Sequence, residues 1–326
     1  MNGAPRWLSP TLLTVVLVLT VASVLVGKVM LTWNLWSDQD PITRIIFLEL
    51  RVPRALLGVL IGAALGLAGA AMQSYLRNPL AEPGTLGVSA MAALGAVLSI
   101  FFGIAGTHPW ILPMCGVLGG VFAMAALLLL AGRSASLLTL VLSGIILSAL
   151  AVAGISFTLS LSPSPWAAGE IIRWLLGALI DRSLDDLTIA TPLIAAGFAL
   201  VLLCRESLNA LTLGELGARS LGIDLRRVQW MMCLGMGLLI GASVAVTGMI
   251  GFVGLVVPHL LRPIVGSQPA ALLVPSALGG AALVLAGDIV VRLLPGGSEL
   301  QLGVVMSLVG APFFFALLYS MRRRVV

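Results

Sequence analysis

Charge is what this sequence has least of. Only 10% of its 326 residues are Asp, Glu, Lys or Arg, while 60% are hydrophobic. That leaves too little polar surface to cover a water-soluble globule of this size. Lysine occurs once, as Lys28, and histidine twice, as His108 and His259. With no GxxxxGK[ST] stretch the chain has no phosphate loop, so it is not expected to hydrolyse ATP itself. Neither histidine has a ligand set nearby in sequence, which argues against metal catalysis, and no metal or cofactor is expected in this chain. Cys115, Cys204 and Cys233 lie in apolar runs without metal-like spacing and read as small hydrophobes, not as a disulfide framework. The basic residues are scattered between those runs, without the clustered face that nucleic-acid binding needs.

What fills the chain instead is a series of long apolar runs. About 20 such residues cross a hydrocarbon layer roughly 30 Å thick as a helix, whereas a membrane barrel would show short alternating strands. The fold expected is all-α and polytopic, a single transmembrane domain over residues 1–326. Ten spans fit: 11–31, 53–76, 86–104, 111–131, 137–160, 188–204, 229–248, 253–264, 270–294 and 303–321. The first is read as a retained span, because only Arg6 precedes it and no small-residue cleavage site follows. The eighth is too short to cross alone and is expected as a half-helix packed inside protein.

Starting the chain in the cytoplasm puts most arginines inside, from Arg6 and Arg77 to the Arg322–Arg324 run, and most acidic residues outside. Both termini are then cytoplasmic. LIGA recurs at 60–63 and 239–242, and the same offset pairs Gly58 with Gly237, Gly69 with Gly248 and Pro79 with Pro258. In the assigned topology these halves run in opposite senses, an inverted repeat of the kind found in transporters. Glycines four apart, such as Gly58, Gly62 and Gly66, let helices approach closely.

Ionisable groups at membrane depth are costly and tend to mark function, yet Asp288 is the one carboxylate well inside a span. Arg292 follows at i+4, so the plain reading is a helical ion pair. One carboxylate is a thin relay for a proton-driven carrier. The longest cytoplasmic loop, about 205–228, reads RESLNALTLGELGARSLGIDLRRV. Leu208, Leu211, Leu216 and Leu221, with Glu215 and Arg219 at i,i+4, predict a short amphipathic helix ending near Gly222. Such a helix serves as an interfacial anchor or as a docking element for a soluble partner.

The segments LRVPRALLGVLIGAALGLAGAAMQ (50–73), NPLAEPGTLGVS (78–89), LGELGARSLGI (213–223) and GMIGFVGLVVPHLLR (248–262), with GDIVVRLL and LGVVMSLVGAPFF near the end, cover the chain in order. Together they resemble the FecCD-type permease family of bacterial ABC importers for ferric siderophores, haem and cobalamin. The resemblance implies a homodimer in the bacterial inner membrane, two ATP-binding cassette subunits that use ATP and Mg, and a periplasmic substrate-binding protein. It implies ATPase docking by Gly214, Glu215, Ala218, Leu221 and Gly222, with Gly217 in place of a more usual alanine or serine. It implies binding-protein docking by Arg51, Arg54 and Arg292, for which membrane-interface anchoring is the alternative. The turn RNPLAEPGTLG (77–87) becomes part of a cytoplasmic gate, with Asn78 and Leu80 at gate positions and Ser136 and Leu137 in a second gating loop. A plain proline-stiffened turn is the alternative there. Arg173, between Trp166 and Trp174, is a possible substrate contact or an interface anchor. The rival class is a stand-alone secondary carrier driven by an ion gradient.

Overall fold

The structure is a computed structural model that describes residues 5–27, 44–131, 137–162, 164–266, 268–294 and 300–322. Among the described residues there are helices and connecting turns and no strand. The helices are α1 (Leu8–Leu25), α2 (Val52–Tyr75, entered through a π-helical turn at Ile46–Arg51), α3 (Val88–Phe101), α4 (Ile111–Ala131), α5 (Leu137–Ser160), α6 (Pro165–Leu175) and α7 (Leu184–Leu203). They continue as α8 (Arg205–Leu211), α9 (Gly214–Ser220), α10 (Leu225–Thr247), α11 (Val253–Val265), α12 (Pro269–Leu293) and α13 (Leu302–Arg322).

Among the described residues seven helices are long and apolar enough to cross a membrane: α1, α2 with its π turn, α4, α5, α7, α10 and α12. The apolar helices α3, α11 and the 302–317 part of α13 are shorter, and with them the ten expected spans are accounted for. The half-helix expected at α11 is present, and α3 is short as well. At 14 residues it spans about 21 Å, less than the hydrocarbon layer. Each begins at a left-handed residue, Gly87 at φ 77° and Phe252 at φ 66°, so the chain turns sharply into each. Hydropathy alone places two starts a turn late. Ser183 caps α7 in a capping box with Asp186, and the Asp224 carboxylate accepts from the N–H groups of Arg226 and Arg227 to start α10.

Glycine sets the packing. A Cβ on Gly62 would lie 2.5 Å from the Gly280 carbonyl oxygen, and one on Gly66 2.1 Å from that of Ser276, so α2 and α12 run antiparallel with backbones touching. On the other side, Gly237 and Gly241 of α10 abut Val121 and Val117 of α4 in the same antiparallel sense. The first LIGA helix thus packs on a helix of the second half, and the second on a helix of the first, the exchange that a repeat would produce. The offset itself breaks down beyond the packed faces. Gly69 is inside α2 and meets Gly254 of α11, whereas Gly248 is the C-cap of α10; Pro79 is in a turn, whereas Pro258 is inside α11. The second helix simply ends about two turns earlier.

Candidate gate and docking elements

The turn at 77–87 is built by its own polar groups. Arg77 takes a left-handed φ of 49°. Asn78 is buried and its Oδ1 accepts from the Leu80 N–H at 3.0 Å, while its carbonyl accepts from the Ala81 N–H. Such an Asx turn lets the chain reverse without a helix. The Leu80 side chain then packs against a cluster of Leu255 and Val256 from α11 and Leu317 from α13, with Phe252 and Phe313 beside it. A residue not singled out by motif fixes the turn in place. The buried Glu82 carboxylate accepts the Phe252 N–H at 2.7 Å, at the entrance to α11. Burial pushes this carboxyl up to about 7, against the pull of hydrogen bonds from the Phe252 and Thr85 backbones. Its signal in the sequence is a lone acid between two prolines in an apolar protein. Of the second gating loop, Ser136 lies outside the described residues, as do Lys28 and Arg133, and Leu137 begins α5.

The docking loop departs from the single helix expected. Gly214, at φ 86°, divides it into α8 and α9, and Gly222 at φ 81° closes α9. The predicted apolar face divides with it. Leu208 and Leu211 are buried, whereas Leu213, Leu216 and Leu221 stand out, Leu216 at 83% exposure. Ala218 is fully buried and seats α9. Glu215 pairs with Arg219 at 3.8 Å on the surface, as the i,i+4 spacing requires. The loop is tethered to the membrane helices by Asn209, whose Oδ1 accepts the Ala270 N–H at 2.9 Å at the start of α12.

At the expected outer end, Arg51, Arg54 and Arg292 are engaged by partners within the chain. Arg54 grips Asp288 through Nε at 3.0 Å and Nη2 at 2.8 Å, and Arg292 bonds the other oxygen of the same carboxylate. Arg292 also donates to the Ser23 and Val26 carbonyls at 2.6 and 2.9 Å, and Arg51 to those of Val24 and Leu25 at 3.2 and 2.9 Å. The reason is the C-terminus of α1, whose last carbonyls lack helical partners and carry partial negative charge. The i,i+4 pair of Asp288 with Arg292 is present as read, and Arg54 is the member that sequence did not bring to it. Arg173 stacks over Trp166, 5.4 Å from the ring centroid, the posture of an interface anchor.

At the opposite end of α2 a second tie joins it to α11. Arg262 of α11 donates to Gln73 Oε1 at 2.7 Å, and Gln73 Nε2 donates to the Gly254 carbonyl at 3.1 Å. The turn, α11 and the end of α2 are therefore one hydrogen-bonded unit, with α8 and α9 beside it.

Comparison with known proteins agrees over the whole length. The chain is 36% identical to the hemin transport system permease protein HmuU of Yersinia pestis over 333 residues, covering 99% of each chain. It is 38% identical to the vitamin B12 import system permease protein BtuC of Vibrio cholerae over 319 residues, covering 96% of this chain and 94% of that one. Among solved structures, a metal-chelate type ABC transporter in an inward-facing conformation superposes with a TM-score of 0.85 at 31% identity, covering 97% of this chain and all of the other. PsaBC from Streptococcus pneumoniae, at 16% identity and a TM-score of 0.59 over 84% of this chain and 93% of its own, shares the fold. The model of the FecCD transport family matches residues 12–320, and this multi-pass membrane chain, a permease subunit of an ABC importer, belongs to that family.

Proposed function

We infer that the chain works as a homodimer in the bacterial inner membrane, with both termini cytoplasmic, and passes a metal chelate of the ferric siderophore class. Haem and cobalamin are the within-family options, supported by the names of its relatives. Two ATP-binding cassette subunits, using ATP and Mg, dock below and a periplasmic binding protein delivers cargo above. The observation that carries the reading is α9, where Leu216 and the flanking Leu213 and Leu221 stand exposed in a loop tied by Asn209 to the membrane helices. An exposed apolar ridge on a polar loop is a partner-binding surface. Gly214, Glu215, Leu221 and Gly222 shape that ridge, with Ala218 beneath it. Partner movement of α9 would reach α12 through Asn209, and α12 is packed on α2, which ends at the gate turn of Asn78 and Leu80. On the outer side the arginines fix the shape of the rim that meets the binding protein, because their charge is already engaged.

The test is uptake by proteoliposomes holding the permease and an ATP-binding cassette subunit that co-purifies with it, with labelled ferric siderophore, haem or cobalamin supplied on a binding protein. ATP-dependent accumulation of one of the three is expected, lost on replacing Glu215 and Gly222 with bulky residues. Accumulation driven by an ion gradient with no ATPase present would establish the secondary carrier instead.

A further inference from the structure

A cavity of about 500 Å³ opens where the cytoplasmic ends of α2, α4 and α10 meet α9. Its polar wall holds Arg77, Arg219 and Arg226, with Glu215 as the single carboxylate, and that one is partnered by Arg219. Among the described residues neither Arg77 nor Arg226 makes an ion pair, and both are exposed. Apolar side chains in the lining are open as well: Leu129 is 78% exposed and Trp230, one turn beyond Arg226 on α10, 54%. The pocket therefore has a cationic end at the cytoplasmic level and a greasy end among membrane helices, with a tryptophan at the boundary. That is the polarity of a phospholipid, an anionic head with acyl chains. Basic pockets between helices on the cytoplasmic side, and tryptophans at headgroup depth, are the general forms of such recognition. Arginine forks suit phosphate oxygens better than a point charge would.

We propose that this pocket binds an anionic phospholipid of the cytoplasmic leaflet, with Arg77 and Arg226 on the phosphodiester and the chains lying along Leu129 and Trp230. The backbone of Arg77 gives a second reason. Its left-handed φ is uncommon for a residue with a side chain, and it turns the chain at the pocket's edge, directly before the Asn78 turn. Binding alone is proposed, and it stands whether or not the chain partners an ATPase.

The full-length chain, purified from membranes and exchanged into nanodiscs of phosphatidylcholine with one quarter phosphatidylglycerol, is analysed by native mass spectrometry for retained lipid. Wild type is expected to keep phosphatidylglycerol in preference to phosphatidylcholine. The double variant Arg77→Gln/Arg226→Gln is expected to lose that preference by on the order of twentyfold, since each basic residue near an anionic headgroup counts for roughly fivefold. The equally charged control Arg205→Gln/Arg227→Gln, on the same side but outside the cavity, is expected to keep it. No preference in wild type, or an equal loss in the control, overturns the site. A double variant that loses co-purified ATPase while retaining lipid as wild type does would make the pocket a protein seat and refute the lipid.

Discussion

Two carboxylates, Glu82 and Asp288, hold opposite ends of the helix bundle, and each can be tested as a single residue. Asp288 is nearly fully buried between Arg54 and Arg292. Removing it leaves two guanidinium groups facing each other, and breaking such a buried pair costs about 3–5 kcal/mol. Asp288→Ala should lower the thermal midpoint of the detergent-solubilised protein sharply, and an unchanged midpoint would mean that the ion pair contributes nothing. Glu82 lies in the turn between spans, and its pKa is raised from 4.5 to about 7. The folded state then holds its proton to higher pH than the unfolded state does. The stability contributed by this site is therefore full below about 4.5 and falls as pH rises to about 7, by on the order of 3 kcal/mol. Glu82→Gln keeps an acceptor for the Phe252 N–H and removes the titration, so its stability should vary less with pH across that window. Thermal unfolding of both proteins at pH 5 and pH 7.5 checks this, and parallel pH dependence would count against the raised pKa.

At the scale of elements, the helices themselves were legible, because twenty-residue apolar runs have few other solutions. What could not be read were features set by single backbone angles and by partners far away in sequence. Gly214 looks in sequence like any glycine of a helical loop, yet its left-handed angle splits the docking element and sends Leu216 outward and Ala218 inward. Arg54 and Asp288 are 234 residues apart, and only the close α2–α12 contact brings them together. That contact depends on absent side chains. Gly66→Ala would set a methyl 2.1 Å from the Ser276 oxygen, so the helices must separate, an overpacking cost of about 1–3 kcal/mol or more. Gly106→Ala, with nothing within 4 Å, is the matched control and should leave stability unchanged. The exposed ridge of α9 behaves differently. Leu216→Glu should unfold nothing, since the side chain is already in water, and it should weaken ATPase co-purification by roughly thirtyfold if Leu216 is a hot spot of about 2 kcal/mol. Full co-purification by that variant would remove α9 from the interface.

For the whole molecule, the order of polar and apolar groups along the helix axes has to agree with one orientation in the bilayer. The arginine-rich ends, with Arg77, Arg219, Arg226 and Arg262, gather around the gate turn and α9, whereas the acidic capping box of Ser183 and Asp186 stands at the far ends of the helices. The antiparallel contacts of α2 with α12 and of α4 with α10 then fix which ends lie together. The positive-inside tendency assigns the arginine-rich face to the cytoplasm. Two cysteines decide it in a background where the partly accessible Cys115 is replaced by alanine and Cys204 and Cys233 stay buried. Leu184→Cys, exposed beside the Ser183 cap but leaving that cap intact, should react with an impermeant thiol reagent from the periplasm. Ser220→Cys, exposed at the end of α9, should react only after the membrane is opened. Reversed labelling would put α9 outside the cell, where no ATPase can reach it, and would turn the lipid pocket towards the opposite leaflet.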